Sequence, residues 1–452
     1  MSKKISLFSL VLLIVAAIDS IRNLPAAAMF GSSLIFFFLF SALIFLIPTS
    51  LVSAEFASRY PEEGGVFHWI RNAFGERVAF LAVWLQWINT MVWYPTILSF
   101  IAGTAAYLFD PALAQHKGFL VGVILSIFWG LTFLNLKGIR VSARINSFCA
   151  VIGILIPMAF LILLGAVWIF KGHVLQVSFA FKSIVPALEG SQHWISLIAI
   201  MASFLGIELS GVHVKDISNP QKNFPKAMGF SILILLTTMI LGSLAIAVVI
   251  PEKEIRLVDG IMQTFTQFLD AFGISFLVPI LTLLIIVGSV GGMINWLISP
   301  AKGLLQAAEY GFLPAFFTKR NEHDVPVRVL VTQAILVSVF CLVFALMPSI
   351  NAFYWFLTDL STELYMLMYV LLFLAALKLG SSATQAFKLP KKVRFLVCAL
   401  GLFGCLLTIF VGYIPPQDID VGSGLRYGLL IAAGNVLLVL PAALLIFRRK
   451  RV

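Results

Sequence analysis

Apolar residues in this chain run in long unbroken blocks, and polar residues gather in the short stretches between them. This pattern predicts twelve membrane-spanning helices. Their limits are close to 5–30, 34–54, 78–107, 118–136, 147–170, 192–214, 227–250, 274–308, 328–347, 352–377, 393–413 and 425–447. Most hold about 20 apolar residues, enough to cross roughly 30 Å of hydrocarbon at about 1.5 Å per residue. The expected fold class is an all-α polytopic membrane protein, a single transmembrane domain over 1–452.

Two of the blocks are interrupted, and both interruptions carry charge. The first reads Ile18-Asp19-Ser20-Ile21-Arg22-Asn23-Leu24-Pro25, and the second Phe204-Leu205-Gly206-Ile207-Glu208-Leu209-Ser210-Gly211. A membrane helix that stops halfway exposes backbone N–H and C=O groups that lipid cannot satisfy, so a break must face protein or a watery cavity. Paired breaks in two halves of a chain mark the substrate site of a secondary transporter. Arg22 and Ile207 lie 185 positions apart, a separation of five spans. Spans 1 and 6 therefore start on opposite sides. Residues 5–170 and 192–377 are expected to form two inverted repeats, with helices 1 and 6 broken and two further helices in 393–447.

Composition narrows the class. Of 452 residues, 61% are hydrophobic and only 11% charged, which excludes a soluble domain. Nothing at the N-terminus resembles a cleavable signal peptide. The net charge of +11 sits in loops, where it signals topology, not a nucleic-acid partner. With the termini inside, 24 Lys and Arg fall in inside segments and six in outside loops, so both termini are expected to be cytoplasmic. Cys149, Cys341, Cys398 and Cys405 all lie in apolar blocks and predict buried, inert thiols. The six histidines have no zinc spacing. No catalytic group, metal or cofactor is expected. An enzyme lacks a nucleophile–base set, and a channel would need a continuous polar pore.

A broken helix offers N–H groups with partial positive charge on one side and C=O groups with partial negative charge on the other. A zwitterionic amino acid needs both, so amino acids are favoured over sugars or lipids. The candidate binding residues are Ser20, Ile21, Arg22 and Asn23 in the first break and Gly206, Ile207 and Glu208 in the second. Asp19 and Arg22 stand at i and i+3, so they either neutralise one another or meet a charged substrate. Glu208 either handles substrate or protons, or braces the break by accepting from exposed backbone N–H groups. Asp359 and Glu363 lie one turn apart in span 10. Two carboxylates on one face in low dielectric do not both ionise cheaply, which makes them a candidate proton carrier. The alternative is contact with polar groups of a neighbouring span. Trp296 in span 8 is a candidate aromatic gate, though a lone Trp also packs or faces lipid. Spans 1 and 8 lack a Ser/Thr cluster suited to sodium, which favours protons or exchange. The stripe Phe36, Phe37, Phe38 and Phe40 is expected to face lipid.

The chain resembles the amino acid–polyamine–organocation transporters, and among them the bacterial glutamate/GABA antiporters of acid resistance. The resemblance rests on Glu62-Glu63-Gly64-Gly65-Val66-Phe67-His68-Trp69, Gly206-Ile207-Glu208, and His213-Val214-Lys215-Asp216-Ile217-Ser218-Asn219-Pro220. It continues through Pro225-Lys226-Ala227-Met228, Val249-Ile250-Pro251, Gly260-Ile261-Met262-Gln263-Thr264-Phe265, Ser299-Pro300-Ala301-Lys302-Gly303 and Asp324-Val325-Pro326-Val327. It implies the LeuT-type fold, alternating access, and amino acid exchange across the bacterial inner membrane. It also implies that Gly206-Ile207-Glu208 belongs to the substrate site and that Trp296 lies near the bound substrate. Two features differ. The chain ends directly after span 12, so the C-terminal plug of those antiporters is expected to be missing. Span 1 also has its own sequence, in which Arg22 favours acidic or neutral substrates over basic ones.

Overall fold

In a computed structural model the described residues are 6–60, 65–138, 148–149, 151–186, 193–209, 217–323, 325–380, 387–416, 419–420 and 423–448. Besides single-turn segments, the helices are α1 (Leu7–Ile18), α2 (Leu24–Ala28), α3 (Leu34–Ser41), α4 (Ile47–Arg59), α5 (Val66–Phe74), α6 (Glu76–Ala106), α7 (Lys117–Leu136) and α8 (Ile156–Phe170). They continue as α9 (Ser196–Ser203), α10 (Pro220–Ala247), α11 (Gly260–Ala271), α12 (Val278–Glu309), α13 (Val327–Leu346), α14 (Ile350–Leu379), α15 (Lys391–Gly412) and α16 (Gly424–Arg448). This is an all-α polytopic membrane fold.

Seven helical stretches among the described residues are long and apolar enough to cross a membrane. They are Gly31–Arg59, Lys117–Leu136, Val151–Phe170, Gln221–Ala247, Ile350–Leu379, Lys391–Gly412 and Gly424–Arg448. The expected count of twelve is therefore not reached on length and apolarity alone. Helices α6 and α12 have the length, at 31 and 32 residues. The polar and aromatic residues of α6, from Gln86 to Thr96, dilute its apolar run. Stretch α1–α2 is interrupted after Ile18, and α9 is followed by residues 210–216, which lie outside those described.

Helices α6 and α14 pack along one another and form the centre of the molecule; both are buried over most of their length. Helix α8 and the turn before it cross α12 where Gly153 meets Gly288. A Cβ on Gly153 would overlap the Gly288 Cα and lie 2.6 Å from its nitrogen. Only glycine on both sides permits backbones this close. Gly153→Ala is expected to destabilise the protein by about 1–3 kcal/mol, since backbone cannot yield as a side chain does. A thermal unfolding series in detergent checks this, with Gly130→Ala, which points into open space, as the neutral control.

At one end of α4, Glu55 is buried and pairs with Arg394 of α15, Oε2 to Nε at 3.1 Å and Oε1 to Nη2 at 3.3 Å. Glu55 also accepts the Leu389 N–H at 2.9 Å, and Arg59 Nη1 donates to the carbonyls of Leu379 and Gly380. One turn of α4 thus holds the end of α14 and the start of α15. Glu55→Ala strands a buried guanidinium and is expected to cost about 3–5 kcal/mol, read as a lowered unfolding temperature. Before α11, Asp259 accepts from Tyr107, Gln115 and Arg256, each at 2.9 Å. Burial pushes its carboxyl up, and the Arg256 guanidinium beside it holds it back.

The Phe stripe departs from expectation. Phe37 and Phe38 are fully buried, Phe37 edge-on to Trp194 and Phe38 edge-on to Phe204. Lipid and protein interior are equally apolar, so hydropathy does not separate the two faces. The four cysteines are buried and unbridged, as expected.

Candidate substrate site at two helix breaks

Helix α1 stops at Ile18. Asp19 and Ser20 are extended, Ile21–Asn23 make one 3-10 turn, and α2 restarts with Pro25 in its first turn. Proline suits this place because its missing N–H has no helical partner there. The extended link also undoes the i, i+3 relation that would have paired Asp19 with Arg22. Asp19 is 1% exposed, and its Oδ2 accepts from Thr238 of α10 at 2.9 Å. Arg22 turns to the other side, where Nη1 donates to Thr96 of α6 at 2.8 Å and to Tyr354 of α14 at 3.3 Å. Its guanidinium carbon sits 5.0 Å from the Trp93 ring centre, a cation–π contact. Of the two readings of this pair, mutual neutralisation is not what forms. Among the described residues neither group has an ion-pair partner, and Asp19 Oδ1 and Arg22 Nε make no hydrogen bond. Ser20 is partly exposed; Ile21 and Asn23 are buried.

Helix α9 ends at Ser203, and Gly206 follows at φ +97°, a conformation open to glycine and strained for other residues. Ile207–Leu209 form a 3-10 turn; Ser210 and Gly211 lie outside the described residues. Glu208 is fully buried, and three side chains donate to it. Oε1 accepts from Gln86 at 3.1 Å and from Tyr365 at 2.6 Å, and Oε2 accepts from Tyr369. The Tyr369 hydroxyl also accepts the Gly206 N–H at 2.9 Å. One phenol thus joins the backbone of the break to its carboxylate.

The two breaks share a scaffold. At about 100° per residue, Tyr354, Tyr365 and Tyr369 fall within about 60° on one face of α14. Gln86, Trp93 and Thr96 line the facing side of α6. Arg22 is held at the level of Thr96 and Tyr354, Glu208 at that of Gln86 and Tyr365. By helical rise these levels are about 15 Å apart. The α6–α14 seam, the slot, therefore carries a cation and a carboxylate at two depths, and Gln86 and Trp93 in it are partly exposed.

Asp359 and Glu363 point elsewhere, turned about 140–180° from Tyr354 around α14. Tyr427 of α16 donates to Asp359 Oδ2 at 2.5 Å, and Asn435 of α16 donates to Glu363 Oε2. They meet polar groups of a neighbouring helix and stand apart from the slot. Trp296 falls in α12; its ring is outside the described side chains. Of the resemblance motifs, 61–64, 210–216 and 324 also lie outside the described residues.

Thr238, Gln86, Trp93, Thr96 and the three tyrosines were not singled out from the sequence. A polar residue in an apolar helix and tyrosines spaced 11 and 4 apart on one helix face are the signals that could have found them.

Charges buried at helix ends inside a membrane-spanning bundle are the mark of a secondary active transporter. The chain belongs to the amino acid permease family, whose model matches residues 5–435. It is 39% identical over 444 residues to an uncharacterized transporter of Legionella pneumophila, spanning 97% of this chain and 96% of that one. It is 28% identical over 445 residues to the glutamate/gamma-aminobutyrate antiporter of Lactococcus lactis, spanning 95% and 87%. Its fold is similar to that of the manganese transporter of Eremococcus coleocola, with a TM-score of 0.63 at 14% identity over 97% of this chain and 94% of that one. The protein is thus a multi-pass transporter of a bacterial inner membrane and not an enzyme.

Proposed function

We propose that this transporter exchanges acidic or neutral amino acids by alternating access. The observation that carries the proposal is Arg22, a buried guanidinium at a helix break with no ion-pair partner among the described residues. A charge held at membrane depth demands compensation, and a substrate carboxylate supplies it. Asp19, on the other side of the break, keeps one oxygen unbonded and is a second uncompensated group. The name of the Lactococcus lactis antiporter agrees with an exchanger of acidic and neutral amino acids.

In this proposal the chain has twelve spans, with broken spans 1 and 6, repeats over 5–170 and 192–377, two further helices in 393–447, and both termini cytoplasmic. Ser20, Ile21, Arg22, Asn23, Gly206, Ile207 and Glu208 contact substrate, and Trp296 covers it. A proton-coupled permease is the second reading, favoured by the buried carboxylates Asp19, Glu208, Asp359 and Glu363, none of which is ion-paired among the described residues.

Purified protein in liposomes separates the two. Exchange predicts uptake of labelled amino acid only into vesicles preloaded with unlabelled amino acid. Uptake into empty vesicles, abolished when an inward proton gradient collapses, would replace exchange with symport. No uptake in either would overturn the amino acid assignment.

A further inference from the structure

Asp359 and Glu363 are 0% and 1% exposed, and each uses only one carboxylate oxygen. The other two, Asp359 Oδ1 and Glu363 Oε1, have no hydrogen-bond partner. They converge on one spot, the face of Gly412 in α15. A Cβ there would overlap Glu363 Oε1 and lie 2.7 Å from Asp359 Oδ1. A separate side chain is also unsatisfied beside them. The indole N–H of Trp355, one turn before Asp359 and 1% exposed, approaches the Tyr427 phenol without completing a hydrogen bond.

The groups facing the pair are Tyr427 and Asn435 from α16 and Tyr413 from the end of α15. None is cationic, and no Lys, Arg or His among the described residues pairs with either carboxyl. Two converging carboxylate oxygens without a cation repel strongly at low dielectric. Among the described residues no third His, Cys, Asp or Glu joins the two carboxyls to make up a metal site.

We infer that Asp359 and Glu363 share one proton in a closed site between α14, α15 and α16, separate from the substrate slot. One carboxyl keeps its O–H and donates it to the free oxygen of the other, which remains a carboxylate. The site thus carries one negative charge in place of two, and both orphaned oxygens are used. Tyr427 and Asn435 occupy the remaining oxygens, so proton loss would leave two facing charges on one turn of α14 with no cation beside them. This goes beyond the transport proposal and does not depend on which amino acid is carried.

Infrared spectroscopy of the purified full chain tests it without any transport readout. At neutral pH in choline buffer, the wild type should show the C=O stretch of a buried protonated carboxyl. The double variant Asp359→Asn/Glu363→Gln should lose one protonated carboxyl per chain. Glu363→Gln alone is the second variant, should the double one misfold. It supplies an amide N–H in place of the shared proton and should lose the same band. Loss of the band supports the site. Full retention in both variants, or loss of carboxylate bands only, would overturn it. A wild-type band that disappears on adding sodium or potassium would make it a cation site and overturn it as well.

Discussion

Glu208→Gln is expected to slow transport by about 10- to 100-fold while leaving the protein folded. The carboxylate takes hydrogen bonds from Gln86, Tyr365 and Tyr369, and Tyr369 also holds the Gly206 N–H. Glutamine keeps one acceptor oxygen but places an amide donor against hydroxyls that already donate. A hydrogen bond to a charged group contributes about 1.5–3 kcal/mol, and about 1.4 kcal/mol is a factor of ten. The loss falls on transport because Tyr369, bonded to the carboxylate, also holds the Gly206 N–H in place. Glu208→Ala is the harsher case, leaving two buried phenols without their acceptor, and is expected to lower stability as well. Initial exchange rates per reconstituted protein, with unfolding temperatures alongside, separate the two effects. Glu208→Gln protein transporting at the wild-type rate would reduce Glu208 to a packing group.

Arg22→Gln is expected to raise the KM for acidic and neutral substrates alike by at least about 30-fold, since both carry a carboxylate. Truncating one partner of a buried charge pair costs about 2 kcal/mol or more, and on the proposed function the missing partner is the substrate carboxylate. Arg22→Lys should not restore the wild type. A guanidinium bonds Thr96 and Tyr354 and lies against Trp93 at once, whereas an ammonium does not reproduce that planar fork. An unchanged KM with a lowered unfolding temperature would mean that Arg22 only braces α6 and α14.

The breaks were legible because a polar, proline- or glycine-bearing interruption in an apolar run has few explanations inside a membrane. Their partners were not. Asp19 and Arg22 looked like a pair from spacing alone, but spacing presumes a continuous helix, and the extended link at Asp19 and Ser20 sends the two side chains to opposite neighbours. Glu208 was visible as a buried charge, whereas its donors lie 122, 157 and 161 positions away and depend on how α6 and α14 face the break. The separation of Asp359 and Glu363 from the slot follows from their angle around α14. That angle means nothing until the tyrosine face is known to point at the breaks. The Phe37 and Phe38 expectation failed for a related reason, since an apolar side chain suits lipid and protein alike.

Substrate protection of a single engineered cysteine tests the location of the site most directly. Ser20 lies within the first break and is partly exposed, while the four native cysteines are buried. In Ser20→Cys protein reconstituted in liposomes, the account predicts that a transported amino acid slows modification by a small thiol reagent, in proportion to its occupancy. A variant that still transports the amino acid, yet is modified at the same rate with and without it, would contradict a binding site at the helix breaks.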